Sequence, residues 1–261
     1  MSRSFYNAFS GIAAYQRSLQ QIGDNLANLN TNAYKRSEVS FTELLYRDIQ
    51  ERGYSVDPAP DGPVPFSGKG THMYPVTKIF DQGYLQETER PLDLAIEGDG
   101  FFRINREDGT EAYTRRGSFY VDADGNIVTD RGDYLDVDFD LDGIYVNTVA
   151  IGPNGQVSGV NEAGERVDLG EIPLYIFQNN GGLSKEEGGL FEETDTSGAP
   201  EEFVPGTGEA GTLRQFYLEG SNVDLAAEMV ELIANQRALE GNTRSMITAD
   251  ELKALTLLVR G

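Results

Sequence analysis

The chain has 261 residues, of which 39% are apolar, so it is long enough for one large or two modest domains with a hydrophobic core. It contains no cysteine, which excludes disulfides and thiolate metal sites. The net charge of −22 argues against binding to nucleic acid or to anionic lipid. No run of about 18 apolar residues occurs, so no membrane insertion is predicted.

The ends and the middle of the chain differ in charge. Residues 1–50 carry a net charge of +1 and residues 212–261 carry −2, which leaves −21 for residues 51–211. We interpret the acidic middle as a solvent-exposed surface. The first 29 residues lack a basic stretch followed by an apolar core, so a cleaved secretory signal is not predicted.

The N-terminal segment has the pattern of a long amphipathic helix. Its apolar and small residues alternate at spacings of three and four, which is the heptad pattern of a helix that packs along one seam. The series is Phe5, Ala8, Ile12, Tyr15, Leu19, Ile22, Leu26 and Leu29. The turn-forming residues at 30–32 are predicted to end the helix.

The C-terminal segment repeats this pattern. Ser221, followed by Asp224, resembles a helix start of the capping-box kind. Leu225, Met229, Leu232, Leu239 and Met246 follow a heptad register, with Gln236 and Thr243 as polar interruptions. Since neither helix can bury its stripe alone, they are predicted to pair with each other, with neighbouring subunits, or with both.

Between the helices the pattern changes to short strands. Five turn pairs that favour positive φ separate the strand candidates. They are Asp99-Gly100, Asp108-Gly109, Asp124-Gly125, Asp142-Gly143 and Asn154-Gly155. We therefore predict an α+β fold, with long N- and C-terminal helices that form a coiled-coil domain and a central, mainly-β domain.

The predicted domain boundaries follow from these segments. Residues 1–35 form the N-terminal helix of the coiled-coil domain, 36–70 an extended linker, 71–211 the central β-domain and 212–261 the C-terminal helix.

Residues that could carry chemistry are scarce. His72 is the only histidine, so one chain offers neither a histidine-based triad nor a histidine metal cluster. The phosphate-binding glycine motifs are absent. We predict no catalytic residue, no cofactor and no metal. A cell-wall glycosidase acting through two carboxylates stays an unfavoured alternative, and so does a coiled-coil surface adhesin.

Three blocks of sequence resemble the bacterial flagellar rod and hook proteins. Ser10–Gln16, Asp24–Thr31 and Tyr34–Arg36 resemble the N-terminal signature of that family, and 219–224, 228–230 and 236–238 its C-terminal signature. Asp93–Phe102 and Tyr113–Phe119 resemble the central β-domain of its longer members. Ala33 stands where the family usually has glycine. Length and block order favour a distal rod subunit, with proximal rod and hook-type subunits as alternatives.

The resemblance implies a structural subunit of the flagellar basal-body rod, which polymerises through its terminal helices into a tubular drive shaft for motility. The implied partners are copies of itself, other rod and hook subunits, and the flagellar type III export apparatus, through which the chain leaves the cytoplasm without a cleaved signal peptide.

The predicted subunit interface combines the two heptad seams with polar residues beside them. Asn25, Asn28 and Asn32 are spaced as if on one helix face, and their amides are predicted to bond between subunits. The predicted interface residues are Phe5, Ile12, Tyr15, Leu19, Ile22, Asn25, Leu26, Asn28, Leu29, Asn32, Leu225, Met229, Leu232, Gln236, Leu239 and Met246.

Overall fold

The chain divides into two compact units. The computed structural model describes residues 3–43, 47–48, 66–67, 71–73, 76–106 and 108–259. The helical unit consists of Met1–Ala27, Ser37–Lys78 and Asp224–Gly261, and the central unit consists of Asn28–Arg36 and Ile79–Val223.

The helical unit contains the two α-helices, α1 (Arg3–Ala27) and α2 (Leu225–Val259), which pack against each other. α2 begins at an Asp224 cap, because the Asp224 carboxylate accepts hydrogen bonds from the backbone N–H groups of Ala226 (2.8 Å) and Ala227 (3.2 Å). The predicted start at Ser221 is therefore three residues early.

Three antiparallel strand pairs complete the helical unit. They nest along the chain, so that the innermost strands in sequence pair with each other. The pairs are β1 (Ser37–Glu38) with β6 (Thr77–Lys78), β2 (Phe41–Glu43) with β5 (Thr71–Met73), and β3 (Arg47–Asp48) with β4 (Phe66–Ser67). His72 lies in β5.

The central unit is built from short antiparallel strands. The strands are β7 (Leu85–Glu87), β8 (Leu94–Glu97), β9 (Phe102–Asn105), β10 (Glu111–Thr114), β11 (Tyr120–Val121), β12 (Ile127–Val128), β13 (Tyr134–Leu135), β14 (Ala150–Ile151), β15 (Gln156–Val160), β16 (Arg166–Glu171), β17 (Leu174–Ile176), β18 (Ser184–Lys185), β19 (Leu190–Glu192), β20 (Glu201–Phe203), β21 (Thr212–Gln215) and β22 (Tyr217–Glu219). Short 3₁₀ helices span Val146–Thr148, Asn180–Gly182 and Glu187–Gly189.

The strands of the central unit form one seven-stranded sheet and several smaller groups. The large sheet has the order β11-β12-β13-β9-β10-β19-β18, and β14-β15-β16 form a three-stranded sheet. β17 pairs with β20, β8 with β21 and β7 with β22. β22 is the last strand before α2, so the C-terminal part of the chain completes this unit before the helix begins.

The predicted turn glycines are confirmed at all five positions, because each has a positive φ. Gly109 lies in the connection between β9 and β10, and Gly155 in the connection between β14 and β15. A glycine is favoured at such turns because a residue with a Cβ adopts positive φ only at a cost.

Two apolar clusters fill the central unit, and the extended stretch formed by Phe101 and β9 contributes to both. Successive side chains of a strand point to opposite faces, so Phe101 and Phe102 enter different clusters. Phe102 and Ile104 lie in a large aliphatic core with Leu94, Ile96 and Leu213. Phe101 lies in an aromatic core with Tyr113, Tyr175, Phe177 and Phe191, whose rings meet mostly edge to face.

The predicted α+β class with a coiled-coil domain is wrong. Within the described ranges the chain is mainly β, with 22 strands and only two α-helices, one near each end. These helices do not form a long coiled coil. The physical reason is that small and polar side chains mediate their contact, which a pattern of apolar residues alone does not reveal.

Candidate functional site

The covered face of α1 lies beside the predicted heptad seam, not on it. The buried residues of its described side chains are Gly11, Ala14, Ser18, Ile22 and Asn25. This stripe shares Ile22 with the predicted seam, while Ile12, Tyr15, Leu19 and Leu26 are only half-buried. The side chain of Phe5 lies outside the described part of the chain.

Polar groups join α1 to α2. The Asn25 side-chain amide donates to the Glu228 carboxylate (3.3 Å) and to the Ser37 carbonyl (3.0 Å), and its oxygen accepts from the Ser37 N–H (3.1 Å). Asn235 donates to the Ser18 hydroxyl at 2.9 Å. Asn25 is therefore bonded within one chain, and its role between subunits stays a prediction.

The other two asparagines of the predicted row are not helical. α1 ends at Ala27, and Asn28 starts a turn in which its side chain accepts a hydrogen bond from the Thr31 hydroxyl (3.1 Å). The expectation that Asn25, Asn28 and Asn32 share a helix face is therefore wrong. Asn28, Asn32 and the intervening Leu29 are half-buried in the central unit.

Only part of the predicted seam of α2 is buried in the structure. Leu232, Leu239 and Met246 are half-buried, whereas Gln236 is exposed. Leu225 and Met229 are 46% and 52% exposed. The buried residue of the first turns is Glu228, which faces Asn25 on α1.

The first turns of α2 therefore carry an exposed apolar surface, the outer patch, formed by Leu225, Met229, Val230 and Ile233. Val230 and Ile233 are 69% and 56% exposed. Residues at spacings of three and four lie side by side on a helix, so the four side chains are contiguous. Farther along the same face come the polar residues Gln236, Arg237 and Glu240, followed by Ile247, which is 54% exposed.

A second candidate site lies in the central unit, where Lys35, Arg115 and Glu219 form a buried ion cluster. The Lys35 ammonium lies 2.7 Å from one Glu219 oxygen, and Nε of Arg115 lies 3.0 Å from the other. The three residues are at most 4% exposed. Each belongs to a different block of the sequence that resembles the flagellar family.

Backbone groups complete the ion cluster. Arg115 donates to the carbonyls of Gly98 and Gly100, both at 2.9 Å, and Lys35 donates to the carbonyl of Asp81 at 2.8 Å. The Gly83 N–H donates to Glu219 at 2.9 Å. Burial alone would raise the pKa of Glu219, but Arg115 and then Lys35 outweigh it and hold that pKa below its usual value.

Sequence reasoning did not single out this cluster. Lys35 and Glu219 are 184 positions apart, and no local periodicity connects residues at that separation. The signal available in the sequence was that each is a charged residue within a block resembling the family signature.

The acidic and histidine side chains of the described residues are the candidates for binding a metal ion. Among them, no group of three or more His, Cys, Asp or Glu side chains is placed to hold a metal ion. Asp136 pairs with Arg103 and accepts a hydrogen bond from Asn105 at 2.7 Å. Neither described helix combines the length and apolarity that crossing a membrane requires.

Comparison with known proteins defines the class as the structural proteins of the flagellar hook and rod. A family model for the flagellar hook protein FlgE/F/G D1 domain matches residues 95–159. A second, for the flagellar basal body rod FlgEFG protein C-terminal region, matches residues 214–256.

Relatives matched over nearly their full length narrow the class to the rod. The flagellar basal-body rod protein FlgG of Bacillus subtilis is 39% identical, over 97% of both chains. FlgG of Borreliella burgdorferi is 38% identical over 97% of this chain and 96% of its own, and that of Agrobacterium fabrum 38% over 97% of both. The chain belongs to the flagellar basal-body rod protein family, as its resemblance predicted.

The family defines what the chain does. It is a structural subunit of the flagellar basal-body rod and a component of the motility apparatus. The family is structural and not an enzyme family, and its proteins belong to the flagellar basal body.

Proposed function

We propose that this rod subunit polymerises with copies of itself through the outer patch of α2. The observation that supports this is that Leu225, Met229, Val230 and Ile233 present a contiguous apolar surface that one chain leaves 46–69% exposed, whereas Glu228 in the same turns is buried. A helix with apolar residues on its free face as well as on its packed face is typical of a helix that is enclosed on both sides.

Burial of the outer patch in a subunit contact is expected to stabilise the assembly by a significant free energy. Full burial of one such side chain stabilises by ~1.5–3 kcal/mol, and the four are already partly covered, so each contributes on the order of 1 kcal/mol. A single contact of this size does not hold two proteins together against the entropy of association. A rod in which each subunit repeats the contact with several neighbours adds these gains.

The remaining predicted interface residues belong to the same proposal. Ile12, Tyr15, Leu19 and Leu26 of α1 are half-buried, and further subunits cover what one chain leaves accessible. Their partners are other copies of this subunit and the adjoining rod and hook subunits. The family membership supports assembly of this kind, because a rod is built from many subunits.

We also propose an export route and a mechanical role for the subunit. The subunit leaves the cytoplasm through the flagellar export apparatus and joins a tubular shaft that transmits torque without catalysis. The support is that the N-terminal blocks Ser10–Gln16 and Asp24–Thr31 resemble the family signature.

Replacement of Met229 by aspartate tests the assembly surface. Because Met229 is 52% exposed within one chain, Met229→Asp should leave folding intact, while a carboxylate buried at a subunit contact should prevent assembly. The measurement is sedimentation of concentrated protein, with circular dichroism to follow folding.

Two control variants accompany it. Met229→Leu keeps the patch apolar and should assemble normally. Ala163→Asp adds the same charge to an exposed position in the β15–β16 turn and should also assemble. A Met229→Asp protein that sediments like the unmodified chain would show that the outer patch is not a subunit contact.

A further inference from the structure

The ion cluster of Lys35, Arg115 and Glu219 joins three chain segments of the central unit. Lys35 lies in the segment Ala33–Arg36, between α1 and β1 in sequence. Glu219 ends β22, and Arg115 follows β10. The Glu219 carboxylate is the only group of the three that contacts both others, through Lys35 at 2.7 Å and Arg115 at 3.0 Å.

The Arg115 side of the cluster is the firmer one. Its guanidinium uses three nitrogens, on Glu219 and on the carbonyls of Gly98 and Gly100. A fork of this kind fixes both position and orientation. With Lys35 absent, Arg115 and Glu219 still form a neutral pair, and the Gly83 N–H still donates to the carboxylate.

The Lys35 side of the cluster contains the energetically unfavourable features. Burial, and then repulsion from Arg115, lower the pKa of the Lys35 ammonium, although Glu219 and Asp81 oppose this. The same segment contains Ala33 at a φ of +55°, a left-handed conformation that is strained for a residue with a Cβ.

We infer that the cluster is a latch with two separable halves. The Lys35 half holds the segment Ala33–Arg36 and can open while the Arg115–Glu219 pair stays closed. The opening breaks hydrogen bonds of the segment's backbone, including the one from the Ile79 N–H to the Arg36 carbonyl (2.9 Å). Ala33 N–H releases the Glu219 carbonyl (2.7 Å), Arg36 N–H releases Asn222 Oδ1 (2.6 Å), and Asn222 N–H releases the Tyr34 carbonyl (3.3 Å).

The latch predicts an asymmetry between its members. Loss of Lys35 leaves a neutral buried pair, so only the segment Ala33–Arg36 is freed. Loss of the Glu219 charge leaves two cations buried together, which destabilises the whole unit. If the cluster instead opens as a single unit, loss of Lys35 and loss of the Glu219 charge should free the same parts of the central unit.

Hydrogen exchange of the full-length protein, read by mass spectrometry, distinguishes these cases. Lys35→Met should speed exchange of a peptide spanning 33–36 by about tenfold, the effect of one lost charge-assisted hydrogen bond. It should leave a peptide spanning 94–104 unchanged. Glu219→Gln should speed exchange in both peptides.

Arg166→Met is the control. Arg166 is an exposed cation of β16 whose guanidinium donates to the Ser158 hydroxyl at 3.0 Å. It lies in neither peptide and outside the ion cluster, so neither peptide should change. Equal acceleration of both peptides by Lys35→Met, or of neither, would overturn the latch.

The unmodified protein gives a test that does not depend on a variant folding. In rising denaturant, the peptide spanning 33–36 should exchange through an opening that precedes unfolding of the peptide spanning 94–104. A shared midpoint for the two peptides would overturn the two-halves assignment.

Discussion

At the scale of single residues, Ala33 shows how a departure from the family's sequence pattern affects the backbone conformation. The resemblance places alanine where glycine is usual, and the structure places that alanine at positive φ, where glycine has no steric penalty. The sequence revealed the departure, but not its cost, because φ is set by contacts such as the hydrogen bond from Ala33 to the Glu219 carbonyl (2.7 Å).

Ala33→Gly should therefore stabilise the central unit. The expected gain is ~0.5–1 kcal/mol, because relief of the left-handed alanine exceeds the extra entropy that glycine gives the unfolded chain. Urea unfolding measures it. Ala95→Gly, at a fully buried position in β8, is the control and should lower the unfolding free energy. A loss of stability in Ala33→Gly would contradict the assignment of strain.

Glu219 gives a pH-dependent prediction. Its folded pKa lies below the ordinary 4.5, so the unfolded chain binds more protons in acid, and the stabilisation is present above pH 4.5 and lost as the pH falls through the folded pKa. Glu219→Gln should lower the unfolding free energy at neutral pH by ~3–5 kcal/mol. That difference should shrink steadily below pH 4.5.

Urea titrations at several pH values, with the two proteins compared at each, measure this. The other carboxylates titrate in both proteins and cancel in the difference. A difference that stays constant down to strongly acidic pH would show that the Glu219 charge contributes nothing.

At the scale of elements, local signals predicted the turns and one-dimensional patterns did not predict the helix contact. Asp108-Gly109 and Asn154-Gly155 mark their connections because positive φ is a property of the turn itself. A heptad pattern records where apolar residues lie, but Ser18 and Asn235 meet through a hydrogen bond (2.9 Å). Likewise Gly11 lets Asn242 approach, since a Cβ there would lie 2.9 Å from its amide nitrogen.

Close packing between elements also determines at which glycines a larger residue can be accommodated. A Cβ on Gly117 would lie 1.7 Å from the Leu94 backbone carbonyl of β8, whereas one on Gly241 of α2 would meet nothing within 4 Å. Gly117→Ala should therefore destabilise the central unit by several kcal/mol, on the order of a strained core substitution.

Gly241→Ala is the counterpart and should stabilise α2 by about 1 kcal/mol. Thermal unfolding of both variants compares them. A Gly117→Ala protein that is as stable as the unmodified chain would show that β8 and the segment after β10 are not in such close contact.

At the scale of the whole molecule, charge and apolar surface separate along the chain. Residues 51–211 carry −21 of the total charge of −22, so central units repel one another at low ionic strength. The outer patch lies in the nearly neutral C-terminal segment, where this repulsion is least. The composition predicted that division, but only the structure showed which side of α2 is free.

The absence of cysteine from the chain permits the most direct test of assembly through the outer patch. Val230→Cys places a single thiol at a position that is 69% exposed in one chain, and Ala163→Cys places one in the exposed β15–β16 turn as the control. The rate of maleimide labelling is measured for dilute protein and for sedimented polymer. We predict that labelling at position 230 slows about tenfold or more on assembly, since exchange of bound subunits is governed by slow dissociation, while position 163 is unaffected. Equal labelling of position 230 in dilute and sedimented protein would contradict the account.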